Sequence, residues 1–231
     1  MPPPSRPRVS RASVRKRFPM YVVPRTVPHV TDPSPQVVPA NRVAWEDLRL
    51  VFGTRGPASR CQCQRYRLAP GEAFASFPVE ERAFRLRQQA DCGHPRARRT
   101  SGLVALLDGQ PVGWCAVAPR SDYSGLVRVF KVPWEGRDED RTDPTVWAVT
   151  CLLTRAGFRR RGISRALARA AVDHARERGA RALEAYPITT TDVITEELHV
   201  GTVPTFEAAG LEVVSRPSPR RVVMRIELGR D

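Results

Sequence analysis

The stretch CLLTRAGFRRRGISRALARAAVDHARERGARALEAYP, residues 151–187, contains the pattern that indicates the fold class. An apolar segment is followed by an arginine-rich turn, a long amphipathic segment and a second apolar segment. The amphipathic segment predicts a helix from about Gly162 to Arg178, and Gly179 stands where a helix terminator is expected. The inner stripe of this helix consists of Ile163, Ala166, Leu167, Ala170, Ala171 and His174. A strand, a helix and a second strand in this order indicate an α/β fold.

The flanking sequence predicts further elements on both sides of this unit. Asp108-Gly109 between two apolar runs is typical of a tight hairpin turn. We expect helices at residues 41–53, 78–91 and 203–209, and strands at 61–68, 103–107, 111–118, 145–153, 182–186, 211–214 and 222–228. This order of elements implies one sheet with strands of mixed direction.

The first forty residues differ from the rest in composition. They contain ten prolines, and residues 1–19 carry six basic and no acidic side chains. Prolines at this density oppose helix formation and sheet pairing, so we expect a disordered Pro/Arg-rich arm over residues 1–40. One domain over residues 41–231 would follow.

Composition excludes several classes of protein. The 231 residues are 41% hydrophobic and 27% charged, as in globular proteins, and no apolar run approaches the roughly 20 residues of a membrane span. The net charge of +14 attracts anions, but the basic tail lacks interleaved aromatic residues, so neither nucleic acid nor a membrane is an expected partner. Five cysteines and the absence of an apolar signal segment favour the reducing cytoplasm.

The turn before the long helix has the properties of an anion site. The first N–H groups of a helix have no internal partners and lie at the positive end of the helix dipole. Gly162 lets the backbone approach a phosphate closely, and Ser164 is small. The alternative is a solvated basic turn before an ordinary surface helix.

The pattern Arg159-x-x-Gly162-x-Ser164, between an apolar strand and an Ala/Leu-rich helix, resembles the cofactor-binding core of the GNAT superfamily of acyl-CoA N-acyltransferases. The family has Gln or Arg, two residues, Gly, one residue, then Gly or Ala, so Ser164 is a small departure. The segment FEAAGLEVV, residues 206–214, resembles the family's C-terminal helix and strand. The resemblance covers residues 41–230 and implies a mixed, mostly antiparallel central sheet flanked by helices.

The resemblance also implies an activity, a donor and a set of donor-binding residues. The protein would be an acetyl-CoA-dependent N-acetyltransferase, in which a neutral primary amine attacks the thioester directly in a ternary complex. The acceptor would be a small-molecule or peptide amine; no metal is implied, and a homodimer stays open. The residues that would bind acetyl-CoA are Leu152, Leu153, Thr154, Arg159, Arg160, Arg161, Gly162, Ile163, Ser164 and Arg165.

Two departures from the family bear on catalysis. Phe206 stands where many members have a Tyr that acts as general acid, and residues 145–151 lack the carboxylate that some members use as base. A base must come from elsewhere, and we predict Glu184, with Tyr186, His199 and ordered water as alternatives. These departures keep a second function open, a catalytically weak acyl-CoA-binding sensor or scaffold.

Cysteine offers two further hypotheses. Cys61-x-Cys63 and Cys92-x-His94 would supply four zinc ligands, but their spacing is tighter than in structural zinc sites. A cysteine nucleophile is no better supported by the sequence. We therefore predict no metal site.

Overall fold

The computed structural model describes Met1 and residues 34–229. The described residues contain seven strands: β1 Gln36–Pro39, β2 Gly102–Leu107, β3 Gln110–Pro119, β4 Val146–Thr154, β5 Ala182–Ala185, β6 Glu212–Ser218 and β7 Arg221–Glu227. They form one sheet in the order β1-β2-β3-β4-β5-β7-β6. Only β4 and β5 pair in parallel in this sheet, and all its other pairs are antiparallel. The prediction of a mixed, mostly antiparallel sheet is confirmed.

Helices cover both faces of the sheet. They are α1 Trp45–Phe52, α2 Gly56–Cys61, α3 Val79–Ala90, α4 Ser124–Val129, α5 Ile163–Glu177 and α6 Val203–Glu207. Successive side chains of β2 point to opposite faces of the sheet. Leu103 and Ala105 pack under α5, and Val104 packs under α1 and α3. None of the helices described is long and apolar enough to cross a membrane.

Two sequence-based expectations differ from the structure. Residues 61–68 were predicted as a strand, but α2 ends at Cys61, and Gln62 and Cys63 have positive φ, which is incompatible with an extended strand. Residues 36–39, near the end of the predicted arm, form β1, which pairs with β2. Pro39 is tolerated because β1 is an edge strand with one side free of a ladder. Residues 2–33 of the predicted arm lie outside the described residues.

His174 lies buried on the inner stripe of α5, against Trp147, with ring centroids 5.7 Å apart. Burial, together with the charge of Arg178, lowers the pKa of His174 from 6.5 to about 4. In the unfolded chain the histidine binds a proton below pH 6.5, whereas in the folded protein it does not until about pH 4. Above pH 6.5 His174 therefore does not lower the free energy of unfolding. As the pH falls from 6.5 towards 4, the unfolded chain binds a proton that the folded protein does not, and the free energy of unfolding decreases.

We expect the free energy of unfolding to fall by about 2 kcal/mol between pH 6.5 and pH 5 because of His174 alone, at about 1.4 kcal/mol per pH unit. His174→Phe keeps an aromatic ring beside Trp147 and should remove that part of the pH dependence. Urea unfolding of both proteins at pH 7 and pH 5 measures the difference. An equal loss of stability in both proteins would contradict this role of His174.

Candidate functional site

The strands β4 and β5 pair over only four residues and then separate. The ladder ends at Val149 and Ala185, and β4 continues to Thr154 without β5 beside it. Two local features explain the separation. Thr150 is an extra residue in the pairing of β4 with β3, so β4 bends there. Pro187 has no N–H with which to continue the β5 ladder. Residues 150–154 therefore present an open strand edge.

A cavity of about 590 Å³ lies along this open edge. Its walls come from β4, from α1 and α2, from the arginine-rich turn and from the 3-10 helix Thr195–Val200. Arg159, Arg160 and Ser164 from the region of the turn line it, and so do Tyr66 and His199. The open edge of β4 is thus part of one continuous cavity with a basic turn and a tyrosine–histidine pair.

The turn before α5 has the backbone of an anion site. Arg160 and Gly162 have φ of +63° and +73°, so successive peptide groups change direction there. Across the described residues, the N–H groups of residues 159–165 donate to no backbone or side-chain acceptor. A hydrogen bond between Thr154 Oγ1 and Ser164 Oγ, at 3.2 Å, ties the end of β4 to the start of α5. The geometry fits a bound pyrophosphate.

The ten residues predicted to bind acetyl-CoA differ in where their side chains lie. Those that line the cavity are Leu152, Leu153, Thr154, Arg159, Arg160 and Ser164. Arg161 and Gly162 on the turn, and Arg165 at the start of α5, are exposed outside that lining. The side chain of Ile163 packs in the core close to Gly113, so only its backbone N–H is free to meet a ligand. Donor binding by these residues stays a prediction.

Glu184 lies in a buried ion cluster and not in the cavity lining. Its carboxylate accepts hydrogen bonds from Arg120 Nη1 at 3.1 Å, Arg137 Nη2 at 2.6 Å, Arg225 Nη1 at 2.7 Å and the Tyr186 hydroxyl at 2.9 Å. Burial raises the pKa of Glu184, but the hydrogen bond and charge of Arg137, with Arg120 and Arg225, outweigh burial and hold that pKa below its usual value. A carboxylate with both oxygens occupied is a poor proton acceptor.

We therefore replace Glu184 as the candidate base and assign it a structural role. The sequence shows a carboxylate in an otherwise apolar strand. The carboxylate can be buried there because three arginines from other elements form ion pairs with it. Tyr186 is excluded on the same geometry, because its hydroxyl donates to Glu184 and burial raises its pKa well above the usual value.

Glu184→Gln is expected to lower the free energy of unfolding by about 3 kcal/mol, because it removes the central charge between three largely buried arginines. Turnover per folded molecule should change little. Urea unfolding measures the loss, and Glu139→Gln, at the more exposed side of the same cluster, should cost less. Unchanged stability with a hundredfold loss of turnover would return Glu184 to the mechanism.

His199 and Tyr66 form a hydrogen-bonded pair in the cavity lining. The His199 Nδ1 is hydrogen-bonded to the carbonyl oxygen of Glu196, so Nδ1 carries the proton and Nε2 is an acceptor. The Tyr66 hydroxyl lies 3.4 Å from Nε2 and can donate to it. Burial lowers the pKa of His199 and raises the pKa of Tyr66, so the imidazole is neutral and the phenol protonated at neutral pH.

Sequence reasoning named His199 among the alternatives but missed Tyr66. Tyr66 lies in the segment predicted as a strand, but in the structure it follows α2 in irregular backbone, so strand alternation could not show which way its side chain faces. Its position comes from the fold, because its carbonyl accepts the N–H groups of Gly125 and Leu126 at the start of α4. Phe206 is fully buried in the main core and offers no acid.

Cysteine side chains also line the cavity, namely Cys61, Cys63 and Cys151. Trp114 Nε1 donates to Cys63 Sγ at 3.1 Å, and His94 pairs with Asp91 at 2.7 Å. Over residues 34–229, no group of three or more His, Cys, Asp or Glu side chains is arranged to hold a metal ion.

Solved structures similar to this one include three bacterial proteins of low sequence identity. The GCN5-related N-acetyltransferase of Kribbella flavida is 18% identical, with 84% of this chain and 97% of that chain covered and a TM-score of 0.48. YncA of Salmonella typhimurium, solved with its cofactor acetyl-CoA, is 11% identical, with 85% and 95% covered and a TM-score of 0.48. An N-acetyltransferase of Staphylococcus aureus is 11% identical, with 85% and 99% covered and a TM-score of 0.47.

Searches among curated protein sequences find no significant match. The sequence model of the acetyltransferase (GNAT) family matches residues 66–199. The match includes the open edge of β4, the arginine-rich turn and both members of the tyrosine–histidine pair. Because it extends over more than half of the chain, the protein belongs to the acetyltransferase (GNAT) family.

Proposed function

We propose that the protein transfers the acetyl group of acetyl-CoA to a primary amine by direct attack in a ternary complex. The observation that carries this proposal is the continuity of the cavity. A single cavity is lined by the arginine-rich turn, by the open edge of β4 and by the Tyr66–His199 pair. It therefore offers an anion site, a strand edge for an extended chain and a proton acceptor in one space.

The residues of the turn and of β4 would hold the donor. The free N–H groups of residues 160–165 would bind the pyrophosphate, and the arginine side chains would add charge. Backbone groups of Leu152, Leu153 and Thr154 would pair with the amides of the pantetheine arm as a neighbouring strand does. An N–H group from this stretch would polarise the thioester carbonyl and stabilise its oxygen as negative charge develops.

The Tyr66–His199 pair would move the protons. His199 Nε2 accepts the proton that the amine loses as the C–N bond forms and the C–S bond breaks. Tyr66 donates its hydroxyl proton to the leaving thiolate, and His199 returns the amine proton to the phenolate through the 3.4 Å hydrogen bond. The products are the N-acetylated amine and the free thiol, and both side chains regain their starting states.

Phe206, where the family commonly has the general acid, favours a second candidate function, an acyl-CoA-binding sensor or scaffold. Calorimetry with acetyl-CoA followed by thiol release with a pool of primary amines separates the two. Binding with amine-dependent thiol release is the expected result. Binding without thiol release for any amine would favour the sensor, and no binding would contradict both.

We propose the cytoplasm as the compartment. All five cysteines are free, as the reducing cytoplasm would keep them.

A further inference from the structure

A second cavity, of about 510 Å³, adjoins the first at the tyrosine–histidine pair. Arg65, Tyr66, Glu196 and His199 line both cavities. The second cavity is not lined by β4 or by the arginine-rich turn, so the donor-binding elements lie on one side of the pair only. An acceptor that reaches His199 from the opposite side would occupy this second cavity.

The charges in the second cavity do not cancel. Arg220 and Glu197 neutralise each other through an ion pair at 2.8 Å. Arg65, Arg221 and Glu196 remain, and none of these three forms an ion pair with another side chain among residues 34–229. Two cations and one anion without partners surround the entrance to the candidate base.

Arg221 has unused hydrogen-bonding capacity. Its Nη2 donates to the carbonyl oxygen of Tyr186 at 2.9 Å, which fixes the guanidinium at the cavity wall. Its Nε is buried and has no partner among the described residues. The guanidinium is held in place by the bond from Nη2, and its other terminal nitrogen keeps donors for a ligand.

Both arginines lie within electrostatic range of the base. Burial is the main reason that the pKa of His199 is low, and the charges of Arg65 and Arg221 lower it further. Apolar side chains of Phe130, Ile188 and Ile194 complete the cavity beside the charged groups. The cavity thus presents cations, a carboxylate and an apolar wall within the space of a small molecule.

We infer that the acceptor is a free α-amino acid with an apolar side chain, whose carboxylate binds Arg221 and Arg65. This inference rests on the proposed function and names the substrate class of the same site. The amine lies at His199 Nε2, and the side chain contacts the apolar wall. An amine without a carboxylate would leave both guanidinium groups unpaired.

Three acceptors with the same side chain test the carboxylate: leucine, leucinamide and 3-methylbutylamine. We expect kcat/KM, corrected for the fraction of neutral amine, to be roughly tenfold to a hundredfold higher for leucine than for leucinamide or 3-methylbutylamine. This is the factor that one or two charge-assisted hydrogen bonds to the carboxylate contribute. Arg221→Gln should reduce that preference to less than about threefold, mainly through KM. Arg65→Gln, at an exposed position, should reduce it in the same direction without loss of folding.

Arg216→Gln is the matched control, because Arg216 is exposed on the same β6–β7 hairpin and lines neither cavity. It should keep the full preference for leucine, and acetyl-CoA affinity should be the same in the Arg221→Gln, Arg216→Gln and wild-type proteins. Leucinamide or 3-methylbutylamine acetylated as well as leucine would overturn the inference and leave the proposed function standing. A preference that survives both Arg221→Gln and Arg65→Gln would also overturn it. No acetylation of any amine would overturn the proposed function and the inference together.

Discussion

Gly162→Val is expected to weaken acetyl-CoA binding by at least about a hundredfold. Gly162 has φ of +73°, a conformation that β-branched residues rarely adopt, and it directly precedes α5. A Cβ atom at this position would meet no protein atom within 4 Å, so the damage is conformational and not a clash within the chain. A changed turn would misdirect the free N–H groups, and each charge-assisted hydrogen bond to phosphate contributes roughly 1.5–3 kcal/mol.

Two variants serve as controls for this result. Asn adopts positive φ more readily than other residues with a side chain, so Gly162→Asn should retain most of the affinity. Arg160→Ala should do less harm than Gly162→Val, because the turn binds mainly through its backbone and an exposed arginine is partly screened. Calorimetry with acetyl-CoA measures all three. If Gly162→Val binds as tightly as the parent protein, the turn does not bind the phosphates.

His199→Gln is expected to lower kcat by about 10²–10⁴-fold, while the affinity for acetyl-CoA stays the same. Glutamine keeps a polar group of similar size but accepts no proton, so only the proton transfer from the amine is lost. Stopped-flow or steady-state thiol release measures kcat, and calorimetry measures donor binding. Unchanged turnover would remove His199 from the mechanism and leave ordered water as the base.

The pH profile gives a second measurement of the same residue. Because burial lowers the pKa of His199 below 6.5, the imidazole is neutral at pH 7 and protonated only at lower pH. For the wild-type protein, turnover should fall as the pH drops through that lowered pKa, since a protonated imidazole cannot accept a proton. The His199→Gln protein should lack this acidic limb, and an identical limb in both proteins would contradict the assignment.

The turn and α5 could be predicted from sequence because their signals are local. The helix runs over Ile163–Glu177 as expected from its stripe, and Gly162 has the positive φ that its position before the helix suggested. The edge strand β1 was missed because its pairing with β2 joins residues more than sixty positions apart. The high proline content of residues 1–40 predicts a segment without sheet pairing, so the local sequence does not indicate this strand.

The candidate bases, Glu184 and His199 among them, could not be ranked from sequence because the surroundings of a side chain depend on distant elements. Glu184 is surrounded by arginines from the turn after β3, from the segment before β4 and from β7, so its burial reflects an ion cluster. Tyr66 and His199 lie 133 positions apart in the chain, and only the fold brings them together. The strand order and the separation of β4 from β5 determine which titratable groups reach the cavity.

Transfer of an isotope-labelled acetyl group from acetyl-CoA to leucine, followed by mass spectrometry of the product, tests the central claim most directly. We predict labelled N-acetyl-leucine in amounts that depend on the protein, together with one equivalent of free thiol. The product should be strongly reduced with Gly162→Val and with His199→Gln. Acetyl-CoA that binds to the wild-type protein but transfers no label to leucine or to any other primary amine would contradict the claim.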